Sequence, residues 1–162
     1  RVSSSTQQPA SVGGVHPIVA LDFPSLELAR ALVDRLGDRV TYYKVGLELF
    51  ASEGPRALAW LGDRGKRVFL DLKIHDIPTT AGRAAEAARR HGVSLLTVHG
   101  LGGEAMLRAA ADGAADSTGV LVVTVLTSMD LAATSAALGS PPPQRGAPPG
   151  RRAGFARPGT RR

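Results

Sequence analysis

The sequence predicts an α/β fold, a partial (β/α)8 TIM barrel of about five strands and four helices with a disordered C-terminal tail. Three observations carry this expectation. From residue 17 to 126, short apolar runs alternate with segments of helical spacing, the pattern of parallel strands joined by right-handed crossovers. The polar residues Asp22, Lys44, Asp71 with Lys73, His99 and Thr127 fall at or near the ends of the five strand-like runs, 22 to 29 residues apart, and in a barrel those ends build the active site. An open doubly wound sheet would also collect ligands at strand ends. However, Leu21-Asp22-Phe23-Pro24 stands where such a sheet carries a glycine-rich phosphate loop.

The first strand is expected at 18–21, a near-continuous apolar run suited to a strand covered on both faces. A helix should follow over 25–36, with Leu28, Ala29, Leu32, Val33 and Leu36 at steps of three and four, Ser25 as N-cap and Gly37 as stop. The second strand is placed at 41–45. The next helical segment, 48–63, contains Gly54-Pro55, which predicts a break and restart. A third strand at 67–72 leads to a helix over 80–90 that stops at Gly92. A fourth strand at 95–98 leads to a helix over 103–112 that stops at Gly113. The fifth strand is placed at 120–126.

Composition sharpens the boundaries. The chain has 162 residues, is 43% hydrophobic and 21% charged, and contains no cysteine. It can bury a core, and disulfides and thiolate metal sites are excluded. No apolar run approaches the roughly 20 residues that cross a bilayer, and residues 1–16 lack the apolar stretch of a secretory signal, so a cytoplasmic location is expected. The net charge of +6 belongs to one end: residues 1–138 balance 14 cations against 14 acids, whereas 139–162 hold six Arg and no acid. That last stretch also contains six Pro and five Gly and cannot build a helix or strand layer. The expected division is therefore a flexible segment over 1–16, an incomplete barrel domain over 17–138 and a disordered tail over 139–162. A complete barrel takes about 250 residues, so this one stops short.

The densest chemical signal is Asp71-Leu72-Lys73-Ile74-His75-Asp76-Ile77-Pro78. Asp71 and Lys73, two apart on a strand, point to one face, and Asp76 follows in the loop. An ammonium beside a carboxylate at 4 Å gains about 4 kcal/mol at an effective dielectric near 20, which would keep Lys73 protonated beside a fixed negative charge. Spacing alone supports two readings equally, a proton-donating array or a strand-end salt bridge. Lys44 tilts the balance, since a Lys–Asp–Lys–Asp run across neighbouring strands is costly to desolvate and makes little sense as packing. The competing reading lets Lys44 reach solvent along its apolar stem. His16, His75, His91 and His99 show no metal-ligand spacing, His75 reads as a loop residue, and His99 fits a site-lining or a structural role equally. Trp60 falls on an apolar helix face and reads as core.

Together, Ile18-Val19-Ala20-Leu21-Asp22, Lys44-Val45-Gly46, the segment Asp71 to Pro78, and Leu126-Thr127-Ser128-Met129 resemble the orotidine 5′-phosphate decarboxylase family. The likeness covers about residues 16–134 and corresponds to the first half to two-thirds of that family's barrel. The resemblance implies a cofactor-independent, metal-free decarboxylation of orotidine 5′-monophosphate to UMP, the last step of de novo pyrimidine biosynthesis. It implies that Asp22 and Lys44 meet the ribose, that Asp71 sits beside the substrate carboxylate, and that Lys73 protonates C6. Asp76, Ile77, Pro78 and Thr80 would belong to the substrate site, with Asp76 and Thr80 reaching across a homodimer interface. Thr127 and Ser128 would meet the pyrimidine edge. No specific nucleic acid and no membrane partner is expected.

The sequence departs from the family in one respect. The Gln, backbone amides and Arg with which the family grips the substrate phosphate have no match here, which implies impaired turnover as well as affinity. The abrupt change at 139 leads to the expectation that the tail is out-of-frame translation. Reading the encoding DNA in its other two frames checks this. Two alternatives stay open: a related sugar-phosphate decarboxylase or aldolase, which would normally recruit Mg²⁺, and a nonfunctional fragment whose basic tail binds polyanions.

Overall fold

The computed structural model describes residues 16–139. The expected flexible segment 1–16 and tail 139–162 lie outside the described residues, His16 and Gly139 excepted. The chain divides into two compact units, Arg1–Thr124 and Val125–Arg162.

In the first unit the order is β1 (Val19–Ala20), α1 (Leu26–Leu36), β2 (Tyr42–Gly46), α2 (Leu47–Glu53), α3 (Pro55–Gly62), β3 (Arg67–Ile74), α4 (Pro78–Arg90), β4 (Leu95–His99), α5 (Gly103–Ala114) and β5 (Gly119–Val123). The five strands pair in sequential order, all parallel. Sequential parallel order with a helix at every crossover is the arrangement of a (β/α)8 barrel, here with β1 and β5 as the edges among the described residues.

Local chemistry explains the boundaries. Ser25 caps α1 in an extended conformation, and the Glu53 carboxylate reinforces the cap by accepting from the Leu26 N–H at 2.9 Å. The helical segment expected at 48–63 is two helices. Gly54 takes φ +60°, a conformation glycine adopts without a Cβ penalty, and Pro55 then starts α3 at a position where its missing N–H costs nothing. α4 begins at Pro78, two residues earlier than the spacing suggested, for the same reason. β5 is shorter than the apolar run 120–126, ending at Val123.

The core lies between the strands and their helices. Leu21, Tyr43, Val45, Leu49, Leu58, Leu61, Val68, Leu96 and Val98 are fully buried. Trp60 is buried too, as expected for core, with the Arg64 guanidinium 4.3 Å from its ring centroid. Ala81, Ala85 and Ala88 of α4 and Met106, Ala110 and Ala114 of α5 are buried. These two helices approach closely at their glycines: a Cβ at Gly82 would sit 3.0 Å from the Ala109 carbonyl oxygen, and one at Gly113 would overlap the Gly82 carbonyl.

The second unit contains α6 (Leu131–Leu138), a helix that the sequence pattern did not reveal. Leu-Ala-Ala-Thr-Ser-Ala-Ala-Leu has no apolar stripe for periodicity to detect. Its ends are nevertheless well specified. The Asp130 side chain accepts from the Ala133 N–H, and Gly139 closes the helix in the left-handed conformation.

Candidate active site

Four of the expected residues converge at the C-terminal ends of β1, β2 and β3. The ladder extends one residue past β1, with the Leu21 N–H donating to the Lys44 carbonyl at 2.8 Å, so Asp22 emerges where pairing stops. Lys44 alternates with the buried Tyr43 and Val45, which directs it to the opposite face of the strand. There its ammonium lies 2.9 Å from Asp22 Oδ1 and 3.6 Å from Asp71 Oδ2. Lys73 Nζ completes the array at 2.8 Å from Asp71 Oδ1. The result is a continuous chain of alternating charge, Asp22–Lys44–Asp71–Lys73, across three neighbouring strands.

Asp71 is its hub. Its side chain is 14% exposed, against 22% for Lys44, 40% for Lys73 and 62% for Asp22. Burial pushes the Asp71 carboxyl upward. The hydrogen bonds from Lys73 and Thr97, with the charges of Lys73 and Lys44, outweigh burial and hold it below the usual carboxylate value. Asp71 is therefore an anion at neutral pH.

The route by which Lys73 reaches Asp71 differs from simple alternation along a strand. Leu70 pairs with Leu96 but Ile74 pairs with Val98, so β3 carries two extra residues opposite β4, a bulge. Lys73 lies in it at φ +51°, a left-handed conformation that costs a non-glycine residue about 1–2 kcal/mol. The hydroxyl of Thr97 on β4 stands at the bulge, accepting the Lys73 N–H at 2.8 Å and donating to Asp71 Oδ1 at 2.9 Å. Sequence reasoning missed Thr97, a single polar residue inside an apolar strand that reads as packing.

Gly46 ends β2 beside the Asp22–Lys44 ion pair. A Cβ there would fall 2.9 Å from Asp22 Oδ1 and 3.4 Å from Lys44 Nζ, so glycine leaves room for their ion pair.

The remaining candidates are placed differently. Asp76, expected to continue the array beyond Lys73, stands outside the ion-pair chain. Its Oδ1 accepts the Ile77 N–H at 2.7 Å, and Asp22 is the second carboxylate instead. The reason is the bulge, which turns Lys73 back onto Asp71 while the chain runs on into the loop. Asp76, Ile77, Pro78 and Thr80 form an exposed surface at the start of α4. Thr127 and Ser128 belong to the second unit, exposed in a turn closed by the Met129 N–H on the Leu126 carbonyl at 3.0 Å. His75 and His99 stack with ring centroids 5.3 Å apart and planes 14° off parallel. His99 Nδ1 also accepts the Leu101 N–H at 3.3 Å, so it has the structural hydrogen bond that was one of its two readings.

Chemically, this array offers a proton-bearing ammonium beside a fixed carboxylate, with a second ion pair holding that carboxylate in place. Among known proteins, residues 16–146 match the orotidine 5′-phosphate decarboxylase / HUMPS family. An orotidine 5′-phosphate decarboxylase of Anaeromyxobacter dehalogenans is 51% identical over 124 residues, covering 76% of this chain and 55% of that protein. The enzyme of the same name from Methylococcus capsulatus is 53% identical over 114 residues, covering 70% and 46%. The chain thus spans about half the length of the curated relatives it matches. The crystal structure of orotidine 5′-phosphate decarboxylase from Lactobacillus acidophilus superposes with a TM-score of 0.70 at 36% identity, covering 76% of this chain and 58% of that one. Sequence and fold agree over the same segment that carries the charged array, and the chain belongs to the orotidine 5′-phosphate decarboxylase / HUMPS family.

Proposed function

We propose that the Asp22–Lys44–Asp71–Lys73 chain is the charge apparatus for decarboxylating orotidine 5′-monophosphate to UMP. The observation that carries this reading is the shared hub, two ammoniums on one partly buried carboxylate at strand ends in a member of this family. When the C6–carboxylate bond breaks, the electron pair stays on C6, with no neighbouring π-acceptor to receive it. Preorganised charge and a nearby proton must stabilise it. Lys73 supplies the proton to C6 as carbon dioxide departs, and its neutral amine recovers a proton from water. Asp71 presses against the substrate carboxylate and relaxes when that charge leaves. Lys44 holds Asp71 in place and, with Asp22, meets the ribose hydroxyls. No metal or organic cofactor takes part.

The rest of the site is part of the same proposal. Asp76, Ile77, Pro78 and Thr80, exposed on the loop and first turn of α4, suit a contact with a second copy of the chain, so the working form is a homodimer. Thr127 and Ser128 meet the pyrimidine edge. Among the described residues no helix is long and apolar enough to cross a membrane, and the enzyme is proposed to act in the cytoplasm.

The test is release of labelled carbon dioxide from carboxyl-labelled orotidine 5′-monophosphate by the purified full chain, with and without chelator. Chelator-insensitive release that Lys73→Ala abolishes, while ligand affinity falls far less, supports the proposal. A folded chain that releases nothing above the uncatalysed rate overturns it for this polypeptide. Release that survives Lys73→Ala removes that residue from its assigned role.

A further inference from the structure

We propose that Thr97 is the positioning residue of this site, a one-hydroxyl clamp that locks the β3 bulge and thereby aims the Lys73 ammonium at Asp71. The assignment follows from hydrogen-bond inventory. A threonine hydroxyl has one proton to give and can accept. The Lys73 backbone N–H can only donate, so at 2.8 Å the Thr97 oxygen must accept from it. The hydroxyl proton is then free for Asp71 Oδ1 at 2.9 Å, where an ionised carboxylate can only accept. The direction of both bonds is fixed by chemistry, and the clamp has one orientation.

Three further observations make the hydroxyl more than a buried polar group. Thr97 is 1% exposed, so water does not substitute for either bond. The bulge removes the regular β4 partner from Lys73, since pairing resumes only at Ile74, and the hydroxyl takes up the N–H left over. The same Oδ1 atom that accepts from Thr97 accepts from Lys73 Nζ at 2.8 Å. One side chain thus holds the backbone of Lys73 and the carboxylate that its amino group addresses. A clamp on both ends of an i,i+2 pair fixes the Lys73 backbone relative to the carboxylate that orients its ammonium. Thr97 itself acts through Lys73 and Asp71 and needs no contact with substrate.

The experiment compares Thr97→Val, which keeps the β-branched shape and removes the hydroxyl, with Thr97→Ser, which keeps the hydroxyl. Both are made in the full chain and checked for parental amide dispersion by NMR. The primary readouts are hydrogen exchange at the Lys73 amide and titration of the Asp71 carboxyl, whose charged neighbours are Lys73 and Lys44, with Asp22 behind Lys44. Thr97→Val is expected to speed Lys73 exchange by about tenfold or more, the size of one lost hydrogen bond, and to move the Asp71 titration to higher pH. Thr97→Ser is expected to restore both. Parental exchange and titration in the valine variant overturn the clamp. So does a serine variant that behaves like valine, because the effect then belongs to shape.

The catalytic consequence rests on the decarboxylase reading and is measured separately. Thr97→Val should lower kcat about tenfold or more with KM little changed, with recovery in Thr97→Ser. If the parent shows no turnover, the decarboxylase reading fails while the exchange and titration data still decide the clamp. If the parent turns over and the valine variant matches its kcat, the clamp has no part in aiming Lys73.

Discussion

Asp71→Asn isolates the charge of the hub. Asparagine has nearly the same shape, and its Oδ1 can still accept from the Thr97 hydroxyl and from Lys73, so packing and hydrogen bonds survive while the anion is lost. The separations of 2.8 Å to Lys73 and 3.6 Å to Lys44 correspond to about 6 and 5 kcal/mol of attraction at an effective dielectric near 20. Little of this survives as net stability. Lys73 is 40% exposed, so water screens its pair, and burying Asp71 against solvation offsets part of the rest. The two lysines then respond unequally. Lys44 keeps Asp22 at 2.9 Å, whereas Lys73 pairs with no other carboxylate among the described residues.

A pair intermediate between exposed and buried should contribute about 2 kcal/mol. At about 3 °C per kcal/mol, Asp71→Asn should melt about 6 °C below the parent. Urea unfolding at pH 7 followed by the fluorescence of Trp60, the single tryptophan, measures the same quantity isothermally. A double-mutant cycle with Lys44→Met should give a coupling of about 1 kcal/mol between residues 44 and 71. Stability within about 0.3 kcal/mol of the parent, together with zero coupling, would refute the charged chain as an energetic unit.

Further outcomes follow from the same geometry. Asp71 has its carboxyl lowered in the folded state, so its stabilisation is complete above the unfolded carboxylate range, about pH 4, and fades as pH falls through the lowered native value. Glu53 titrates low as well, chiefly through its bond from the Leu26 N–H, and adds in the same direction. Urea midpoints measured from pH 6 to pH 2 should therefore drop below about pH 4, less steeply in Asp71→Asn; parallel curves would contradict the low Asp71 value. Gly113→Ala would drive a methyl into the Gly82 carbonyl between α5 and α4 and should cost about 1–3 kcal/mol. A calorimetric scan showing parental stability would mean that the two helices separate freely. Lys73→Ala, the control for turnover, should leave the secondary structure intact by circular dichroism, because its side chain is 40% exposed and its bulge is held through the backbone N–H, which alanine keeps.

The elements that were legible in the sequence are those whose signal is local. Alternating apolar runs announced five parallel strands because a run of β-formers is a local signal, present whether the strand is covered, as β2 and β4 are, or largely exposed, as β5 is. Gly54-Pro55 announced a helix break because backbone sterics act within two residues. Lys44 and the Asp71–Lys73 pair stood out because ionisable groups at strand ends are expensive to place without a partner. Helix α6 went unseen for the converse reason: its small, apolar and hydroxyl side chains make no one-sided stripe, and only its capping residues Asp130 and Gly139 mark it.

The tertiary structure alone decided which charges meet. Asp22 is 49 residues from Asp71 in the chain, and parallel pairing of β1, β2 and β3 puts Lys44 between them. Asp76, only five residues from Asp71, is carried away by the loop. The bulge at Lys73 and the Thr97 hydroxyl that holds it have no one-dimensional signature, because a bulge is a mismatch between two strands and exists only once both are paired. Sequence specifies the charges and the strands that bear them. Register, set by packing across the sheet, determines which oxygen each ammonium finds.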